Sequence, residues 1–363
     1  MSAPARLLYQ EENVLGKGIG CIAIENIKKG TLVIRERPQL LVSGEEISRD
    51  PKIPIVQKFA QIAEGAINCF LEMSREDQEN YMKLHNTYAS ENWSRGMATD
   101  YRSVMHATDQ MTFPNISKEK AFKVWGIYKT NAGPKGVCLK VSRFNHSCRP
   151  NAEWFWNEDT NTVDVRAVRK IKSGEEITLR YIQQWAREER RAELQYHFNF
   201  DCNCEACDLT EEQIQAETES IAAHEKEQGK KERIQAAKEI AFDAELHFSL
   251  LREEVECQKQ IYRLAKRIKT MDRRRILDEI VERGFALSCS GALGEQNCKN
   301  RKEIKASWLK DAKMFANIGL DISKTLHGED HSWTRRWQER DADPMKIFLR
   351  ENVHAIKEKK CML

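Results

Sequence analysis

Hydrophobic and polar positions follow two different rhythms along this chain. In the first half, short β-branched runs lie between turn residues. These runs are Cys21-Ile22-Ala23-Ile24, Thr31-Leu32-Val33-Ile34, Val137 to Val141, Val163 to Val168 and Ile177 to Tyr181, and each predicts a strand. Lys28-Lys29-Gly30 and Lys172-Ser173-Gly174 read as hairpin turns between such strands. Between Gly44 and Met111 the pattern becomes helical and polar. Asp50-Pro51 opens a helix there, and Ile55, Phe59, Ile62, Ala66 and Phe70 form a stripe at steps of three and four.

After Leu209 the helical rhythm takes over. Ala237, Ala241, Ala244, Phe248, Leu251 and Val255 form a narrow apolar seam with charges on the remaining faces. Such a seam packs either on the preceding domain or in a free coiled-coil dimer. Leu309, Ala312, Phe315, Ala316, Ile322 and Leu326 repeat the amphipathic pattern, and Gly328 ends that helix. Ser332 is the expected cap of the next one. Helix, glycine turn, helix is the unit of a helical-repeat array.

The punctuation residues agree with this division. After Pro150 the next proline is Pro344, and only Gly229 lies between Gly174 and Gly284. A boundary is therefore expected near residue 209. A chain of 363 residues suits two domains or slightly more. Lys and Arg number 59 against 56 Asp and Glu, a net charge of +3, which argues against strong direct nucleic-acid binding by the whole chain. No apolar run approaches the ~20 residues of a membrane span, and Met1 to Gln10 lacks the apolar core of a secretory signal. A soluble protein of the nucleus, the cytoplasm or both is expected.

Eleven cysteines, an odd number without a secretory signal, point to reduced thiols. Three of them crowd into Cys202-Asn203-Cys204-Glu205-Ala206-Cys207. They are either soft ligands to a metal that needs a fourth ligand from elsewhere, or simply clustered thiols. A second constellation is Arg143-Phe144-Asn145-His146-Ser147-Cys148-Arg149-Pro150-Asn151.

Asn-His-Ser-Cys-x-Pro-Asn, followed by Gly174-Glu175-Glu176-Ile177-Thr178-Leu179-Arg180-Tyr181, resembles the two core motifs of the SET-domain protein methyltransferases. The Cys202, Cys204, Cys207 cluster is similar to their post-SET zinc motif, and Gly16-Lys17-Gly18-Ile19-Gly20 to the glycine turn that opens the fold. Within that family the likeness is to the SET-and-MYND subgroup, whose repeat signature resembles Thr325 to His331. The subgroup's MYND zinc finger is missing, since residues 40 to 115 supply only Cys69, His85 and His106.

The resemblance implies an α+β chain. A SET-domain β-fold would occupy residues 1–40 and 116–185, interrupted by a helical insertion at 41–115. A post-SET zinc segment at 186–209 and an all-α, tetratricopeptide-like domain at 210–363 would follow. The implied activity is methyl transfer from S-adenosylmethionine to a lysine of a histone or another protein, by a monomeric enzyme. Tyr181 would be the catalytic-pocket tyrosine. Gly16, Lys17, Gly18, Asn131, Asn145, His146, Tyr181 and Phe200 would hold the cofactor, and Phe198 would line the lysine channel. Cys148 would join Cys202, Cys204 and Cys207 around one structural Zn2+. A chain that kept this fold as a silent scaffold, binding partners through its C-terminal helices, is the alternative.

Overall fold

The computed structural model describes residues 7–40, 55–89, 115–133, 135–241, 244–294 and 301–352. Packing divides the chain into two units, residues 1–207 and 208–363. The helix opening at Asp50-Pro51, the side chains of Ile55, Phe59 and Ala244, and His106 lie outside the described residues.

Two small sheets form the first unit. Strands β1 (Tyr9–Val14) and β2 (Gly18–Ala23) make an antiparallel hairpin. β7 (Glu176–Leu179) pairs with β2, and the two-residue β4 (Asn145–His146) lies parallel to β7, giving the order β1-β2-β7-β4. The second sheet has the order β3-β6-β5, from β3 (Leu32–Glu36), β5 (Ala152–Asn157) and β6 (Thr162–Ala167). Cys21, Ala23, Phe144, Val165, Ala167 and Ile177 pack into one core.

The two expected hairpin turns are crossings between these sheets. Ile27 and Ile171 exchange backbone hydrogen bonds of 2.8 and 2.9 Å. From that bridge, residues 28–30 carry the chain from β2 to β3, and residues 172–174 carry it back from β6 to β7. Their glycines do have the expected left-handed backbone, with φ of 83° at Gly30 and 81° at Gly174. The turn chemistry was local and legible; the strand partner was not.

The strand expected over Val137 to Val141 does not form. Val137 bridges Leu40, and the chain then turns into a 3-10 helix at Val141–Arg143. The buried carboxylate of Glu36 accepts the backbone N–H groups of Lys140 and Val141 at 2.9–3.1 Å, which holds this turn in place of a ladder.

Helices α1 (Ile55–Glu72), α2 (Arg75–Tyr81) and α3 (Lys118–Asn131) share a second core around Phe70, Tyr81 and Trp125. The stripe on α1 is buried at Ala66 and Phe70 and half-buried at Ile62. Helix α4 (Arg187–Phe198) precedes the cysteine segment.

The second unit is helical: α5 (Glu211–Glu239), α6 (Ala244–Ala265), α7 (Glu282–Gly294), α8 (Arg301–His327), α9 (Ser332–Ala342) and α10 (Pro344–Glu351). The seam from Ala237 to Val255 is split between two helices. Ala237 lies on α5, Leu251 and Val255 are buried on α6, and the two helices pack on each other. On α8 the expected Ala312, Phe315, Ala316, Ile322 and Leu326 are buried. Gly328 closes that helix with φ of 93°. The next cap is His331, whose Nδ1 accepts the Trp333 N–H at 3.2 Å; Ser332 is the first helical residue. No described helix is long and apolar enough to cross a membrane.

Candidate functional site

The parallel pairing of β4 with β7 brings two distant motifs together. Asn145 stands opposite Thr178 and His146 opposite Leu179. Buried Asn151 fixes the register: its Oδ1 accepts the Thr178 N–H at 2.8 Å, and its Nδ2 donates to the Glu176 carbonyl at 2.8 Å. Glu176 then links two expected site residues. Its Oε1 accepts from Asn145 Nδ2 at 2.9 Å, and its Oε2 pairs with Lys17 Nζ at 2.7 Å.

Gly16 and Gly18 flank Lys17 with φ of 75° and 74°, so they serve the tight turn. A Cβ on either would meet nothing within 4 Å. The close approach belongs to Gly20. A Cβ there would stand 2.7 Å from Asn145 Nδ2 and 2.9 Å from Glu176 Oε1. Both Gly20 and Glu176 sit inside the motifs read from the sequence, yet their roles emerge only from the β2–β7–β4 pairing.

Tyr181 follows β7. Its hydroxyl donates to the Phe144 carbonyl at 2.7 Å, and its backbone N–H donates to His146 Nδ1 at 3.1 Å. The residue as a whole is 38% exposed, while the hydroxyl is enclosed. Burial pushes the phenol well above its ordinary range, helped by the Glu176 and Cys21 charges, so the hydroxyl stays protonated. Phe198 lies 5.0 Å from the Tyr181 ring, and Phe200 lies 6.1 Å from His146. The left-handed Asn199, φ 57°, ends α4 between these two phenylalanines.

His146 faces the cysteines. Because Nδ1 accepts a backbone N–H, the remaining proton of the neutral ring belongs on Nε2, which sits 3.2 Å from Cys148 Sγ. Cys148, Cys202, Cys204 and Cys207 place all four sulfurs within 4.8 Å of one another. Cys148 Sγ is 3.5 Å from that of Cys207 and 4.0 Å from that of Cys202. Tetrahedral thiolates about 2.3 Å from Zn2+ stand roughly 3.8 Å apart, so this set fits the ion. Hydrogen bonds donated to its three neighbours push the Cys148 thiol up, while the bond from Cys148 brings Cys204 down to about 5. Four adjacent thiols cannot all ionise without a cation between them.

The cysteine loop is also gripped from α4. Buried Arg190 donates to the Ala206 carbonyl at 2.6 Å and to the Trp185 carbonyl, and Arg187 donates to the Cys207 carbonyl at 2.9 Å. In the sequence these arginines look like part of a charged helix face; only burial distinguishes them.

Asn131 is engaged elsewhere. It is the last residue of α3, and its Nδ2 donates to the His85 and Ile127 carbonyls at 2.8 and 2.7 Å. The resemblance counts it among the cofactor residues. Its described bonds instead tie the helical layer together. Two surface cavities of about 370 and 360 Å3 are lined around Leu309 and around Phe70, and neither includes Tyr181.

The SET domain family model matches residues 18–182, a span that holds the β2–β7–β4 core and Tyr181. The chain carries a SET domain. Histone-lysine N-methyltransferase set5 of Schizosaccharomyces pombe is 27% identical over 208 residues, 57% of this chain and 52% of that protein. SET domain-containing protein L678 of Acanthamoeba polyphaga mimivirus is 26% identical over 223 residues, 56% of this chain and 79% of that protein. Histone-lysine N-methyltransferase SMYD3 of Mus musculus is 38% identical over 73 residues, 20% of this chain and 17% of that protein. The SET domain here is thus related to both the SET5 and the SMYD proteins, and the chain spans about half the length of its fission-yeast relative.

Proposed function

We propose that this SET domain catalyses transfer of a methyl group from S-adenosylmethionine to a lysine amine of a histone or another protein. The observation that carries the reading is the Tyr181 hydroxyl, held on the Phe144 carbonyl beside His146 and Phe198. The slot at Gly20 and the Lys17–Glu176–Asn145 chain suit the amino-acid end of the cofactor: a cation and an amide oxygen stand together there. Phe200 offers a face for the adenine, and Phe198 a wall for the lysine stem. Asn131 remains a member of the proposed set through its side-chain oxygen alone.

When bound, the cofactor supplies an electrophilic methyl on a positive sulfur. A free lysine, with a pKa of ~10.4, must lose its proton before its nitrogen can attack. A neutral hydroxyl and a carbonyl serve that need better than an acid would, since they orient the amine without reprotonating it. The site would present to that methyl an amine whose proton has already left to water, and the sulfur would keep the bonding pair. Tyr181 and the Phe144 carbonyl align the amine and offer weak CH···O contacts to the methyl. Cys148, Cys202, Cys204 and Cys207 would hold a zinc ion, which would fasten the segment that carries Phe198 and Phe200 beside Tyr181 and His146. The helical second unit is read as tetratricopeptide-like.

Calorimetric titration with S-adenosylmethionine tests the reading without a protein substrate. Micromolar binding to the native chain, lost in Asn145→Ala, is expected. No binding by folded protein carrying one zinc per chain overturns the enzyme and favours a silent scaffold.

A further inference from the structure

Glu176, the first residue of β7, is not required for chemistry by the proposed reaction, yet it spends both carboxylate oxygens on site residues. Oε2 takes the Lys17 ammonium from the β1–β2 turn at 2.7 Å, and Oε1 takes the Asn145 amide from β4 at 2.9 Å. Its side chain is only 16% exposed. Gly20 supplies the space in which the Asn145–Glu176 bond sits, since a Cβ there would overlap both partners.

The chemistry of the carboxylate fixes the amide's orientation. A carboxylate only accepts, so the NH2 group of Asn145 must face it and Oδ1 must face away. Among the described residues no hydrogen-bond donor takes up that Oδ1. The ammonium of Lys17 has three protons and spends one on Glu176, leaving donors beside the same opening. An amide oxygen next to a lysine ammonium matches the zwitterion of a free amino-acid group: the oxygen receives the α-ammonium, and the lysine receives the α-carboxylate.

We propose that Glu176 is a positioning residue that sets Asn145 and Lys17 to receive the amino-acid end of the cofactor. This rests on the methyltransferase reading above. Glutamine in its place keeps the shape and offers one acceptor where two donors need one each. Either Lys17 is released, or the Asn145 amide turns over and points its NH2 at the incoming ammonium. Both outcomes weaken binding at that end alone.

The test is calorimetry on native protein and Glu176→Gln with two ligands. S-adenosylhomocysteine carries the amino-acid end; 5′-methylthioadenosine has the same adenine, ribose and sulfur without it. The variant is expected to bind S-adenosylhomocysteine at least about tenfold more weakly, a loss of roughly 1.4 kcal/mol, with 5′-methylthioadenosine unchanged. Retained binding of the second ligand also reports a folded pocket. Should the variant not fold, Glu176→Asp keeps the charge but cannot reach both partners, and the same selective loss is expected at smaller size.

Equal losses for the two ligands would mean a general structural role and overturn the proposal. So would unchanged or tighter S-adenosylhomocysteine binding, the latter because Glu176 would then be competing for Lys17. If native protein binds neither ligand, the methyltransferase reading itself fails and takes this role with it.

Discussion

In the helical unit, a Cβ on Gly284, Gly291 or Gly319 would stand 2.4–2.5 Å from the rings of Phe315, Trp308 or Trp337. In the sheet unit, a Cβ on Gly20 would stand 2.7 Å from the Asn145 amide and 2.9 Å from the Glu176 carboxylate. The same device, a missing side chain that admits a neighbour, thus serves different ends. A ring in a glycine notch gains burial and close packing, and any apolar group of that size would do. A polar pair in such a notch gains direction: each atom has one partner, and one amide oxygen is left turned outward. Packing slots tolerate exchange of shape, while the polar slot tolerates almost none.

The largest effect that would sharpen this contrast is in the helical unit. Trp308 is fully buried on α8, set into Gly291 of α7, with the Arg252 guanidinium 4.3 Å from its ring centre. Trp308→Ala should cost about 3–5 kcal/mol of stability in urea unfolding. Cofactor affinity of the folded fraction should stay within about twofold of native, since Trp308 packs on Gly291 and Arg252 of its own unit. A cost below about 1 kcal/mol would break the packing half of the comparison, because a filled notch cannot be emptied so cheaply.

The polar half is tested by adding one carbon. Gly20→Ala forces the Asn145 amide and the Glu176 carboxylate apart, and overpacking of this kind costs about 1–3 kcal/mol. Its signature is in binding: S-adenosylmethionine affinity should fall at least about tenfold by calorimetry. Gly291→Ala is the matched control, with a similar overlap against Trp308 and no polar group in the notch. A comparable loss of binding in both variants would mean that general loosening is responsible, and the distinction between the two kinds of slot would fall.

These outcomes bear on what the sequence makes legible. Tyr181, Asn145, His146 and the four cysteines could be read because each lies in a short string whose members end up adjacent. The resemblance named Cys148 as the fourth ligand candidate, and the structure brings its sulfur among the other three. Glu176 and Gly20 stood in the same strings without a signal. Their meaning depends on which strand β2 and β4 pair with, and pairing is a long-range fact. The two lysine-glycine turns failed as hairpins for the same reason. Val137 to Val141 reads as a short β-branched run, but Glu36, about a hundred residues earlier, captures its backbone donors. The helical unit was legible at the level of faces, as on α8, and illegible where a helix breaks: α5 ends at Glu239, before exposed Ile240, although the spacing of the seam runs straight through.

The smallest predicted effect separates the units by pH. His224 lies on α5, fully buried, and burial lowers its pKa from 6.5 to about 4, with the Arg275 and Lys231 charges adding to the shift. The folded state therefore keeps this ring neutral while the unfolded chain protonates it first. Its contribution is complete above about pH 6.5 and is lost as pH falls from there toward 4, below which both states carry the proton. At pH 5 the loss should be about 1–2 kcal/mol, read by urea unfolding of the native chain against its value at pH 7.5. His224→Gln keeps a polar side chain of similar size and removes the titration, so its acid slope should be shallower by that amount. Equal slopes in the two proteins would locate the acid sensitivity elsewhere, in carboxylates such as Asp164, which Arg35, Asn157 and Thr162 hold below the usual range against the opposing effect of burial. Such carboxylates occur in both units: in the helical unit Lys238, Gln235 and Arg283 hold buried Glu254 below the usual range, again against the effect of burial.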